Sequence, residues 1–183
     1  DLKVLQIAGV NVELVAAPGE TDDELYVWLP ESKVVFAGDN FYQSWPNLYA
    51  IRGTPYRDIR AWAGSTGQML NEGPEHVVPG HTRPILGNIA ATQALTDYRD
   101  AINFVFNKTV EGINRGLTPD ELVQYVQLSD ELASRPYLQE YYGNVEWAVR
   151  ANFTGYLGWF DGNPTNLFPL PLDEEAERMA KLA

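Results

Sequence analysis

The chain has 183 residues, enough for one large domain or one domain with an appended piece, and its 45% hydrophobic and 21% charged content fits a folded protein rather than a disordered one. A formal net charge of -12 opposes binding to nucleic acid and to anionic membrane surfaces, and no apolar run reaches the length of a membrane span. Without cysteine there are no disulfides and no thiolate chemistry, which leaves the redox compartment open.

Taken in order, Leu2 to Ile7 and Val10 to Ala17 read as two β runs joined at Gly9, because apolar and polar residues alternate through Val-Asn-Val-Glu-Leu-Val. Glu24 to Leu29 and Lys33 to Ala37 follow as a second pair across the turn Pro30-Glu31-Ser32. Asn40 to Thr54 has no single period and mixes aromatics with Asn, Pro and Gly, the composition of a long structured loop. Pro55 can open a helix to about Asn71 that places Ile59, Trp62, Ala63, Thr66, Met69 and Leu70 on one face; Gly73-Pro74 stops it. Glu75 to Val78 is then a short strand, and strand, helix, strand in that order indicates a layered α/β unit.

Beyond Pro84 the pattern turns helical. Asn88 to about Asn114 is one long helix with Gly116 just past its end, and Thr118-Pro119-Asp120-Glu121 supplies an N-cap, a first-turn proline and acidic residues for a helix to about Gln127. Shorter helices are expected near Ser129 to Ser134 and Asn144 to Tyr156, with a helical, solvent-facing tail from Asp173 to Ala183. The reading is therefore an α/β part, residues 1–87, followed by an all-α part, residues 88–183.

Three strand-like runs end in a glycine followed at once by a metal-ligand residue type: Gly19-Glu20, Gly38-Asp39 and Gly80-His81. Each pair alone is ordinary turn chemistry. Together they describe strands delivering two carboxylates and an imidazole to a common edge, a donor set suited to zinc and similar divalent ions. His76 starts an apolar strand without a preceding glycine and is read as structural.

The series Pro18-Gly19-Glu20-Thr21, Phe36-Ala37-Gly38-Asp39 and Pro79-Gly80-His81-Thr82 resembles the third, fourth and fifth metal motifs of the metallo-β-lactamase superfamily. Glu20 stands where most members have histidine. That substitution, with the blocks Pro46 to Asp58 and Tyr156 to Pro164, is similar to the alkyl sulfatase branch. The resemblance implies an α/β part that is the second half of an αββα sandwich, then an all-α dimerisation domain that makes a homodimer. It implies a binuclear zinc hydrolase (two Zn2+ ions) that cleaves alkyl sulfate esters, with Glu20, Asp39 and His81 among the ligands, Asp39 the bridge, and a metal-bound water as nucleophile. It also implies a sulfate clamp at Arg52, whose planar fork suits an oxyanion, with Asn40, Asn47 and Tyr156 as further substrate contacts. Arg57 is assigned nothing beyond lining a pocket. Family members are often exported, which makes a periplasmic or secreted location the expectation.

The superfamily's first motif, His-x-His-x-Asp-His, is absent from these 183 residues. Half of the metal shell is missing with it, so the expectation is a fragment whose N-terminal half of the catalytic domain lies elsewhere, and which alone is inactive. Two other readings stand beside this one: another hydrolase of the superfamily, a lactonase or thioesterase, and a non-catalytic dimerisation module with relic metal residues.

Overall fold

The computed structural model describes residues 1–50 and 55–182. Strands β1 (Leu2–Ile7) and β2 (Val10–Ala16) form an antiparallel hairpin with Ile7 opposite Val10. β3 (Leu25–Leu29) and β4 (Val34–Gly38) continue the meander, each antiparallel to its predecessor. The chain then crosses over through α1 (Ile59–Asn71) to β5 (His76–Pro79), which lies parallel to β4, the connection a parallel pair requires. A two-residue strand, β6 (Ile85–Leu86), closes a six-stranded mixed sheet in sequence order.

Alternation along the strands makes one face of this sheet a core. Tyr26, Trp28, Val35, Ala37 and Val77 are buried with Ile59, Trp62, Ala63 and Met69 of α1. Each large apolar side chain so placed contributes about 1.5–3 kcal/mol relative to exposure. On the other face Leu14, Val27, Phe36 and Val78 fall in one cross-strand row, and Phe36 is 40% exposed. A sheet with an apolar second face is one layer of a sandwich.

Helix α2 (Asn88–Asn114) runs along α1 and buries Leu95, Tyr98, Ile102 and Val105, with Ala91, Ala94 and Ala101 between them. Its far part packs on α3 (Pro119–Tyr125) and α5 (Val145–Leu157), while α4 (Asp130–Ala133) and α6 (Leu172–Ala180) bury no residue. Among the described residues no helix is long and apolar enough to cross a membrane.

The helix after the long loop begins at Ile59, not at Pro55, because the Asp58 carboxylate accepts from the Ala61 N–H (3.0 Å) and fixes the N-terminus there. α3 ends two residues earlier than its pattern suggests, and β6 has too few residues to leave a periodic signal.

Candidate functional site

The site is built where parallel neighbours β4 and β5 end together. Gly38 closes β4 with φ +58, a conformation open to glycine, and a Cβ there would come within 2.7 Å of Glu24 Oε1. That turn projects Asp39 from the sheet edge, and the Asp39 N–H donates to Glu24 Oε1 at 2.8 Å. The Gly80 N–H bonds the Gly38 carbonyl at 2.7 Å and brings β5's end alongside. His81 therefore arrives with Nδ1 2.7 Å from Asp39 Oδ1. The hydrogen bond to Asp39, and then its charge, raise the His81 pKa above the ordinary imidazole value. Thr82 follows at φ 73, a strained conformation for a β-branched residue, with its Oγ1 accepting from the Gln43 N–H at 3.1 Å.

Glu20 reaches the same place from the loop after β2. The fully buried Asn40 holds that loop: its Nδ2 donates to the Ala17 carbonyl (2.5 Å) and its Oδ1 accepts from the Glu20 N–H (3.2 Å). The Glu20 carboxylate pairs with Arg57, Oε1 to Nη2 at 2.8 Å. Burial pushes the Glu20 carboxyl up, Arg57 opposes that, and the nearby Asp39 charge adds to it. Burial likewise raises Glu24, against the Asp39 N–H that stabilises its charged form.

Glu20, Asp39 and His81 line one cavity of about 420 Å³ together with Tyr42, Tyr141 and Tyr142. Asn40 is not among the residues that line the cavity; its amide is engaged with the Ala17 carbonyl and the Glu20 N–H. Asn47 is likewise not among the residues that line the cavity; it is buried, and its side-chain amide faces Arg57 and the Tyr49 carbonyl. Tyr156 lies away from the cavity lining, 54% exposed on α5 with its ring 6.0 Å from that of Phe106. Arg52 falls outside the described residues. His76 accepts from the Gly87 N–H at 3.2 Å, a bond between the start of β5 and the segment leading into α2.

In donor type, two carboxylates and an imidazole on one cavity fit a divalent cation. With Asp39 Oδ1 on His81 and Glu20 Oε1 on Arg57, the second oxygen of each carboxylate carries no hydrogen bond among the described residues. In number they fall short: among the described residues no group of three or more His, Cys, Asp or Glu converges closely enough to hold an ion.

Residues 118–183 match the family model for alkyl sulfatase dimerisation. Over 178 residues, 96% of the chain, the sequence is 39% identical to a linear primary-alkylsulfatase from Pseudomonas sp. (strain ATCC 19151). The chain is thus similar to alkylsulfatases along nearly its whole length, and its C-terminal third matches their dimerisation family. The solved structure of the stereoselective inverting sec-alkylsulfatase Pisa1 from Pseudomonas sp. superposes on 99% of the chain with TM-score 0.89 and 31% identity. A metallo-beta-lactamase family protein from Thermus thermophilus shares the fold, with TM-score 0.53 and 17% identity over 84% of this chain and 47% of that one. The expected fold class, an α/β part of metallo-β-lactamase type followed by an all-α part, agrees with the mixed sheet and helices seen here and in these solved structures. The chain covers 34% of the linear primary-alkylsulfatase and 29% of the Pisa1 chain, so it spans about a third of the relatives it matches. A metallo-β-lactamase fold of the alkyl sulfatase branch implies metal dependence.

Four contributors were not legible as such in the sequence. Arg57 sits in the Pro46 to Asp58 block that carries the resemblance, but nothing in the block says which carboxylate it meets. Glu24 is one acid among several in Glu-Thr-Asp-Asp-Glu. Tyr141 and Tyr142 lie about a hundred residues from the loop they join, beyond the reach of any local pattern.

Proposed function

We propose that this chain is part of a metal-dependent sulfuric ester hydrolase that converts alkyl sulfates to alcohol and sulfate, its active site completed by residues outside the 183. The observation that carries the reading is the convergence of Glu20, Asp39 and His81 on one cavity, at the joined ends of β4 and β5, in a chain whose relatives are alkylsulfatases. Together with residues outside the 183, Glu20, Asp39 and His81 would hold divalent metal, which we take to be zinc, two ions in the complete protein. Bound there, such ions supply Lewis acidity and offset the charge of a sulfate ester in a strongly acidic protein.

This chain's own residues do the positioning. Glu24 and the Gly38 turn fix where Asp39 leaves the sheet, Asn40 fixes the Glu20 loop, and Arg57 holds one Glu20 oxygen. His81 Nδ1 and Asp39 Oδ1 lie within hydrogen-bond distance, at 2.7 Å. Arg52 remains our choice for the sulfate clamp, resting on its family block and on guanidinium chemistry. The 1–87 and 88–183 parts are proposed as catalytic half and homodimerising domain, although α1 and α2 share one core.

Sulfate release from dodecyl sulfate with Zn2+ present, measured for the chain alone and mixed with the rest of its parent protein, tests the proposal. Release only by the mixture, with bound zinc confirmed by elemental analysis, supports it. Turnover of a lactone or thioester in place of dodecyl sulfate overturns it in favour of another hydrolase. A mixture that binds no zinc and turns over none of these overturns it in favour of a dimerisation module.

A further inference from the structure

The helical part of the chain closes one wall of the cavity, and that contact is built rather than incidental. The Gln139 carbonyl accepts from both the Trp45 N–H (2.8 Å) and the Ser44 hydroxyl (2.9 Å), which pins the strap of residues 139–143 to the loop after β4. Gly143 lies so close to that loop that a Cβ would come within 2.4 Å of the Pro46 carbonyl oxygen. Between these two fixed points stand Tyr141 and Tyr142. Tyr142 packs edge-on to Tyr42, with ring centroids 6.1 Å apart. Yet the two strap tyrosines remain 81% and 56% exposed, on the same cavity that Asp39 and His81 line.

The cavity is thus two-ended. One end carries Glu20, Asp39 and His81; the wall from the strap carries aromatic rings and no charged side chain. Its volume falls within the range of small-molecule sites, which are apolar with a few polar groups at one point. Rings held by a pinned backbone lose little entropy when an apolar chain covers them, so such a wall rewards each methylene laid on it.

We infer that Tyr141 and Tyr142 form the wall that reads the aliphatic chain of an alkyl sulfate, so that the helical part sets chain-length preference. This rests on the sulfate-ester reading above and assigns its apolar end. The ligand has an anionic head at the metal-ligand end and a straight hydrocarbon tail along the strap. A fully buried methylene is worth about fourfold in affinity, and a wall open on one side gives roughly twofold.

The test is calorimetric binding of hexane-, octane- and decane-sulfonate to the chain, below their micelle concentrations, with and without Zn2+. These sulfonates keep the head and tail but contain no ester to cleave. Expected is one-to-one binding that tightens about two- to fourfold per methylene, a slope that Tyr141→Ser and Tyr142→Ser flatten. Both side chains are mostly solvent-facing, so the variants keep the fold. A slope unchanged in both variants, or an unmodified chain that binds the three equally, overturns the wall and leaves the sulfate-ester reading standing. No binding of any sulfonate under either condition overturns the wall and counts against that reading as well.

Discussion

Arg57 Nη2 lies 2.8 Å from Glu20 Oε1, and the same guanidinium donates through Nη1 to the carbonyls of Asn47 (2.6 Å) and Tyr49 (3.3 Å). One side chain therefore joins the loop after β2 to the aromatic loop after β4. Both partners of the ion pair are largely withdrawn from water, at 9% and 17% side-chain exposure. Removing one member of such a pair strands the other, whereas an exposed pair is worth little. Arg57→Met should cost about 3 kcal/mol in urea unfolding and push the Glu20 carboxyl further up. Arg57→Lys should recover only part of the loss, since an ammonium does not reproduce the planar fork that serves a carboxylate and two carbonyls. Equal stability of Met and Lys variants would show that the pair is not what holds the loops.

Gly143 and Gly64 make a matched pair of glycine-to-alanine tests with opposite signs. At Gly143 the new Cβ meets Pro46 and Asn47 backbone within 2.4 to 3.0 Å, and backbone cannot swing aside as a side chain can. Gly143→Ala should destabilise by about 1–3 kcal/mol, the usual range for overpacking, and loosen the strap. Gly64 lies mid-helix in α1 with nothing within 4 Å of its Cβ position, so Gly64→Ala should stabilise by about 0.5–1 kcal/mol. Thermal unfolding of both decides; a Gly143→Ala protein as stable as the parent removes the close contact.

The start of α3 should titrate. The Glu121 carboxylate accepts from the Thr118 backbone N–H (2.8 Å) and hydroxyl (2.9 Å), and these bonds lower its pKa. Because the folded value lies below the unfolded one, the stabilisation is fully present above the ordinary carboxylate range. It is lost as pH falls through the lowered value. Thr118→Ala removes an N-cap, at about 1 kcal/mol at neutral pH. Stability measured from pH 7 down to pH 3 should fall less steeply for Glu121→Gln than for the parent. Parallel curves would mean that the capping box does not titrate with folding.

The regular elements were legible because they are local. The 27-residue α2 and the Thr118 cap follow from periodicity and from one residue's side chain reaching three positions along. The three junctions at Glu20, Asp39 and His81 were legible for the same reason: a glycine and the residue after it sit at the end of each run. What the sequence hid is the pairing across distance. Asn40 reads as a turn donor, yet it is buried and spent on the Glu20 loop; Arg57 reads as ambiguous because its partner is 37 residues away. Pro55 offered a helix start, but Asp58 captured it through a bond that depends on where the chain emerges from the loop.

Glu24 should act on metal binding without being a ligand. Its Oε1 takes the Asp39 N–H at 2.8 Å and fills the space beside Gly38, so it fixes where that strand turns and which way the Asp39 carboxylate leaves the sheet. Groups that orient a ligand commonly matter about 10- to 100-fold in metal affinity. Glu24→Ala should therefore weaken Zn2+ binding by about tenfold in a chelator competition, measured on the chain with its partner segment supplied. Glu24→Gln keeps an oxygen in place to accept the same N–H and should stay within about threefold, since only the charge of the acceptor changes. The comparison separates orientation from charge: if Gln loses as much as Ala, the carboxylate is felt by the metal directly and Glu24 belongs among the ligands, not behind them.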